Sequence, residues 1–268
     1  PLAHIGGGQV TEGAIDDQIR QIVSKAAHLH YVATEEFKEV LGNMGEEEWR
    51  IKVVGTPSID ATMNVPVIVQ PELSEKLGVD ISQPTALVAY HATTRESEYQ
   101  SQYNDVFFGV LEKLDCNLVL TYPNNDFGSE DIIARLEEIA RKNSKRCVLH
   151  KNLGQDLFIN TMRNVAFVIG NSSAGIIEAS AFGTPVVNVG NRQKGRPEGK
   201  NIFSCAFEQQ DIQRAIDQAV RFDRSESVSP WGQGDSSSRI ARDIDETLQS
   251  IAPGKLMNKK TVSALLVS

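Results

Sequence analysis

From residue 85 to residue 221 the sequence alternates short apolar runs with amphipathic stretches, and no other feature narrows the possible folds so sharply. Strand-length runs at 85–90, 117–122, 147–149, 165–169 and 185–189 are separated by helical patterns at 96–114, 129–142, 155–163 and 174–182, with a last one at 209–221. Strands joined by helical crossovers return to the same end of a sheet, so they lie parallel and need helices over both faces. The spacing predicts an α/β domain with a parallel sheet wrapped on both faces over 84–250, closed by a terminal helix carrying Ile240, Ile244 and Leu248. Ligands of such sheets bind beyond the carboxyl ends of the strands. Each run is followed there by polar residues: His91-Ala92-Thr93-Thr94, Pro123-Asn124-Asn125-Asp126, Lys151-Asn152, Gly170-Asn171-Ser172-Ser173 and Gly190-Asn191-Arg192. Polar clusters recurring at one sheet edge predict a binding site at that edge.

The fourth cluster carries the most chemistry. It joins a run that reads as buried on both faces to the helix expected at 174–182, which puts the turn at a helix N-terminus, where free N–H groups and the positive dipole end attract anions. Ser172 and Ser173 add hydroxyl donors suited to a pyrophosphate, and Glu178, one helical turn in, can accept from ribose hydroxyls. The turn reads as a nucleotide-diphosphate seat, and the same Asn and Ser would also serve an ordinary N-cap.

The chain before residue 84 shows a shorter βαβ rhythm. Residues 28–33 read as a strand, Thr34 as the cap of a helix at 35–42, and residues 50–55 as a further strand. Upstream, Gly6, Gly7 and Gly8 would let the backbone approach a ligand closely, and Ile15, Ile19, Ile22, Val23 and Ala26 form one helical stripe expected to face the core. Asp16 and Arg20, four apart, share a helix face that looks into a cleft or pairs in water. Residues 1–62 thus read as part of an N-terminal domain, 63–83, with Pro66 and Pro71, as a connection between domains, and 251–268 as a loose tail. An uncovered apolar sheet edge is expected around His4 and His28.

A net charge of −8 over 268 residues argues against nucleic acid as the main partner, so any basic pocket must be local. No apolar run approaches membrane-spanning length and no signal peptide is expected. Cys116, Cys147 and Cys205 lack C-x-x-C spacing and fall in or beside apolar runs, which suits reduced thiols and a cytoplasmic location.

Several motifs, in order, carry a resemblance: His4-Ile5-x-Gly7-Gly8-x-x-Thr11-Glu12-Gly13-x-x-Asp16-Asp17, Gly55-Thr56-Pro57-Ser58, His91-x-Thr93-Thr94, Gly170-Asn171-Ser172-Ser173-x-Gly175, Ala181-Phe182-Gly183-Thr184-Pro185 and Arg192-Gln193-x-Gly195-Arg196. Over residues 3–250 the chain closely resembles the UDP-N-acetylglucosamine 2-epimerases, particularly the hydrolysing kind of sialic-acid precursor synthesis. The resemblance implies a GT-B type α/β fold, with the C-terminal Rossmann-like sheet complete and the N-terminal Rossmann-like domain partial. It gives His91, Ser172, Ser173 and Arg192 to the diphosphate, with Asn171 and Gly175 in the same turn, and Glu178 to the ribose. It places Asn124 and Asp126 along the cleft, the backbone of 151–154 at the base, and Asp16 with the His4 loop at the sugar. Asp16, Glu12, His4 and His91 are the candidates for catalysis.

The implied substrate is a UDP-sugar, with no cofactor and no metal, and the full-length form is expected to be a dimer or tetramer. Two positions depart from the family pattern: Gly6, where many relatives have a carboxylate, and Gln21, where they have His. With the family's opening strands not represented, this chain is expected to bind nucleotide weakly through the second domain and to turn over little. A non-hydrolysing epimerase, a GT-B glycosyltransferase and an inactive nucleotide-binding fragment remain alternatives.

Overall fold

A computed structural model of the chain describes residues 1–9, 15–93, 98–125 and 128–260, with the backbone alone for 15–17, and divides into two units. The first unit comprises residues 1–64, 195–197 and those from 229 onward, and the second 65–194 and 198–228.

In the first unit, β1 (Ala3–Ile5), β2 (Leu29–Val32) and β3 (Ile51–Val53) form a parallel sheet in the order β1-β2-β3. The crossovers carry α1 (Ile15–Ala26) and α2 (Glu35–Asn43), and α3 (Pro57–Met63) follows β3. Thr34 caps α2 as expected, its hydroxyl accepting from the Phe37 N–H at 3.4 Å. The apolar stripe of α1 does not face a core as the periodicity suggests. Ile19 and Ile22 are 52% and 68% exposed, and among the described side chains of α1 the fully buried one is Ser24, whose hydroxyl lies 3.0 Å from His4 Nδ1. The reason is the sheet's width: β1 is its edge, Leu2 and Ile5 there are themselves exposed, and no described strand lies beyond it for the isoleucines to cover.

The glycine loop is also put to a different use. A side chain on Gly8 (φ +76°) would stand 2.3 Å from the Phe37 carbonyl, and one on Gly7 3.0 Å from the Ser24 hydroxyl, so both glycines admit neighbouring parts of the unit rather than a ligand.

The second unit begins sooner than composition suggests. Residues 65–83 are built into it: the Asn160 amide accepts from the Ile68 N–H at 2.9 Å and donates to the Pro66 carbonyl at 2.9 Å, and α4 (Gln70–Leu77) buries Leu73 and Leu77. Then follow β4 (Thr85–Ala89), α5 (Gln100–Leu111), β5 (Asn117–Thr121), α6 (Ser129–Lys142), β6 (Cys147–His150), α7 (Gly154–Asn164), β7 (Phe167–Gly170), α8 (Ser173–Ile176), β8 (Val186–Val189), β9 (Ile202–Cys205) and α9 (Gln209–Arg221). All six strands are parallel, in the order β6-β5-β4-β7-β8-β9. The α/β class expected from the alternation is borne out, and the order is that of a doubly wound Rossmann sheet whose direction of winding reverses between β4 and β7.

The structure departs from the sequence pattern at two places. The sixth strand, β9, lies in a stretch whose alternation is too short to register in sequence. The single helix expected at 174–182 breaks: α8 makes one turn, Ile177 and Glu178 interrupt it, and a 3₁₀ turn covers Ala179–Phe182.

The chain then returns to the first unit through α10 (Ser236–Ser250) and α11 (Pro253–Met257). Asp60 of α3 caps α10 from outside, its carboxylate accepting the Ser236 and Ser237 N–H groups at 3.0 and 2.6 Å. Burial works to raise that carboxyl's pKa, but the donors prevail and hold it below the ordinary value. Residues 252–260 are docked rather than loose. Buried Arg50 donates to the carbonyls of Leu256, Lys255 and Asn258 as well as to His28, and Leu256 packs with Leu29, Tyr31, Val54 and Ile240. Lys259 Nζ completes the clamp on the carbonyls of Ser24, Lys25 and Ala27.

Candidate functional site

At the winding reversal, Ala89 at the end of β4 is in register with Gly170 at the end of β7. Gly170 has φ +144°, and a Cβ there would stand 2.1 Å from the Ala89 carbonyl oxygen, so the two strand ends approach this closely because the residue is glycine. The approach sets Asn171 directly beneath the loop that leaves β4. Its N–H donates to the Ala89 carbonyl at 3.2 Å, its Oδ1 accepts from the His91 N–H at 2.8 Å, and its Nδ2 donates to the His91 carbonyl at 2.9 Å. The Asn171 carbonyl in turn accepts from Arg192 Nη1 at 3.2 Å and Gln193 Nε2 at 2.8 Å, beyond the end of β8. On the other side His91 Nδ1 accepts from the Asn124 N–H at 3.1 Å, and the Ser129 hydroxyl donates to the Asn124 carbonyl at 2.7 Å.

One hydrogen-bonded chain therefore ties together the loops after β5, β4, β7 and β8. His91, Asn171, Ser172 and Arg192 stand at one place on the sheet edge, with Arg192 exposed and His91 half-buried. Asn171 is fully buried with both ends of its amide on the His91 backbone, so it organises the edge from below. The loop after β4 is also clasped by Gln100, whose Oε1 accepts from both the N–H and the hydroxyl of Thr93 at 2.7 Å. The cluster after β6 is held locally, the Asn152 side chain accepting from the Gly154 N–H at 2.7 Å.

Ser172 caps α8 and accepts weakly from the Ala174 N–H at 3.4 Å, while Ser173 begins the helix half-buried. Because α8 is a single turn, its macrodipole is small. An anion placed here would meet Arg192, the hydroxyls and local N–H groups rather than the dipole of a full helix. Gly175 is buried, and a Cβ on it would meet Val186 Cγ1 at 3.1 Å, so it lets the turn sit on β8. Glu178 lies half-buried in the break between α8 and the 3₁₀ turn.

In the first unit, His4 is on β1 with its ring against Ser24, and burial followed by the Arg20 charge lowers its pKa. Asp16 lies in the first turn of α1, its side chain outside those described, and Glu12 and Asp126 lie outside the described residues altogether. A groove of about 830 Å³ in this unit runs beside β3 and α10. It is lined by opposite charges, Lys38–Glu48 at 3.1 Å and Lys52–Asp243 at 3.5 Å, and holds none of the candidate residues. Among the described residues no group of three or more His, Cys, Asp or Glu is placed to hold a metal ion, and no helix is long and apolar enough to cross a membrane.

Sequence reasoning passed over Gln193, which is buried and whose Oε1 has no partner among the described residues. Its place beside Arg192 in the Arg192-Gln193-x-Gly195-Arg196 motif was the available signal. The part played by Asn124 through its main chain had none, since every residue but proline carries that N–H.

The family model described as UDP-N-acetylglucosamine 2-epimerase matches residues 1–245. A UDP-N-acetylglucosamine 2-epimerase of Neisseria meningitidis is 32% identical over 241 residues, 90% of this chain and 63% of its own length. A hydrolysing GDP/UDP-N,N'-diacetylbacillosamine 2-epimerase of Campylobacter jejuni is 34% identical over 212 residues, 79% of this chain and 55% of its own length. The chain thus spans 55–63% of these two relatives. Among solved structures, the UDP-GlcNAc 2-epimerase of Neisseria meningitidis bound to UDP-GlcNAc superposes with a TM-score of 0.76 at 16% identity, over 92% of this chain and 70% of the other.

Proposed function

The chain belongs to the UDP-N-acetylglucosamine 2-epimerase family, and on that premise we propose that it acts on UDP-N-acetylglucosamine as a hydrolysing 2-epimerase. A base removes the C2 proton, the C1–O bond breaks with its electron pair leaving on UDP, and water adds across the resulting glycal to give N-acetylmannosamine. The C2 proton is weakly acidic and the departing diphosphate carries concentrated charge, so the reaction needs a positioned base and a ready set of donors. Arg192, Ser172, Ser173 and His91 serve the diphosphate in this reading, with Asn171 and Gly175 shaping their turn and Glu178 on the ribose. Asn124 and Asp126 are assigned to the substrate as well. Asp16 and Glu12 are assigned the proton transfers, with His4 at the sugar.

The observation that carries the reading is the bonded series Asn124–His91–Asn171–Arg192 at the winding reversal, where Rossmann sheets take nucleotides. The test is calorimetric titration of UDP into the chain, followed by proton NMR of UDP-N-acetylglucosamine incubated with it in D₂O. Free N-acetylmannosamine carrying deuterium at C2 supports the hydrolysing route, and UDP-N-acetylmannosamine would replace it with the non-hydrolysing one. No UDP binding would overturn the assignment. A second substrate merits the same assay: the Campylobacter jejuni relative is a hydrolysing diacetylbacillosamine epimerase, so UDP-N,N'-diacetylbacillosamine is the alternative sugar nucleotide.

A further inference from the structure

The bond from Asn124 to His91 fixes more than a loop. The Asn124 N–H is a main-chain donor that cannot act as an acceptor, and it points at His91 Nδ1 from 3.1 Å. A ring nitrogen that accepts must hold its lone pair in the ring plane, so the single proton of neutral imidazole sits on the other nitrogen. The loop bearing His91 cannot drift from this donor easily, because Asn171 holds the His91 N–H and carbonyl at 2.8 and 2.9 Å from a fully buried position. We infer that the Asn124 main chain and the Asn171 side chain are positioning elements that lock His91 as its Nε2–H tautomer, making it a hydrogen-bond donor to the diphosphate rather than a base for the C2 proton.

The consequence for the chemistry rests on the function proposed above; the tautomer itself does not. An Nε2–H donor meets a phosphate oxygen favourably, whereas the opposite tautomer would turn a lone pair toward that oxygen and repel it. Proton abstraction is then left to carboxylates, and His91 belongs with Arg192 among the groups that steady the leaving UDP. Asn171 couples the two, since its side chain holds the His91 backbone while its carbonyl holds the Arg192 guanidinium.

The test is long-range ¹H–¹⁵N correlation of the ¹⁵N-labelled chain at a pH above the ordinary imidazole value of about 6.5, with His91 assigned by the signals missing from His91→Gln. The expected pattern is pyrrole-type nitrogen at Nε2 and pyridine-type at Nδ1. Asn124→Ala keeps the N–H and should keep the pattern; Asn124→Pro removes the N–H and should give averaged or exchanging tautomers. Asn171→Ala should mix the tautomers and weaken UDP about tenfold. A pyrrole-type Nδ1 in the unmodified chain overturns the inference without any variant, and so does an unchanged pattern in folded Asn124→Pro. UDP binding in the unmodified chain, read separately, reports on the proposed function. A chain with the expected tautomer and no UDP affinity fails that proposal alone, and one that binds UDP with the opposite tautomer fails this inference alone.

Discussion

Replacing Gly170 by alanine should collapse the proposed diphosphate seat, and the size of the effect follows from two contacts. The new Cβ would stand 2.1 Å from the Ala89 carbonyl oxygen and 2.6 Å from its carbon, both backbone atoms that no rotamer change can move aside. A non-glycine residue at φ +144° costs about 1–3 kcal/mol, and forcing an extra methyl into a packed position about 1–3 kcal/mol more. Together they give about 4 kcal/mol, a large part of the roughly 5–15 kcal/mol that holds a domain together. With a urea dependence of about 2 kcal/mol per M, the midpoint should fall by about 2 M. Because the strain lies between β4 and β7, UDP affinity should be lost even in conditions where the variant stays folded. Gly109 of α5 provides the control: a Cβ there meets nothing within 4 Å, so Gly109→Ala should stabilise by about 0.4–1 kcal/mol. If Gly170→Ala unfolds within about 0.5 kcal/mol of the parent, a shift usual for surface substitutions, the close approach is not what fixes the residue.

Arg192→Ala should weaken UDP about 10- to 100-fold by calorimetry, the loss expected for a charged donor to phosphate, and full affinity would remove Arg192 from the seat. Burial pushes His30 from 6.5 down to about 4, against a partial counter-pull from Glu46 at 3.1 Å. The unfolded chain therefore takes up a proton in that window that the folded chain refuses. Stability should be full above about pH 6.5 and fall by up to about 3 kcal/mol as the pH drops toward 4, with a shallower slope in His30→Gln, read from urea midpoints against pH. Asp60→Ala strips two N–H groups of α10 of their acceptor and should cost about 1–2 kcal/mol in the same assay. Arg50→Met should release 252–260, detected as early proteolytic trimming of that segment while the second unit stays intact.

Most of the second unit was legible because its signals are local. A strand such as Val168-Ile169 or a helix such as Gln209–Arg221 declares itself through its own periodicity, and the polar residues after each strand declare the edge where a ligand would sit. The failures are long-range. No residue near Ser236 hints that Asp60 will cap it, and nothing in 251–260 shows that Arg50, two hundred positions earlier, will gather its carbonyls. The stripe on α1 was read correctly as a pattern and wrongly as a core face, because periodicity reports which side of a helix is apolar and not what stands opposite. At the site, side-chain identity pointed to Ser172, His91 and Arg192. The hub status of Asn171 depends on the close approach at Gly170, which is a fact of strand order.

The first unit is assembled from segments that lie on either side of the second in sequence, and that matters during synthesis. When β1 to β3 leave the ribosome, the helix that Asp60 caps and the leucine that fills the space beside Tyr31 have not yet been made. At about 5–20 residues per second, the half-made sheet waits on the order of ten seconds with its apolar side open, while the intervening Rossmann unit folds. Nascent-chain binding by chaperones should therefore concentrate on the early segment, and a stop codon near residue 229 would leave the second unit whole and the first without α10 and α11.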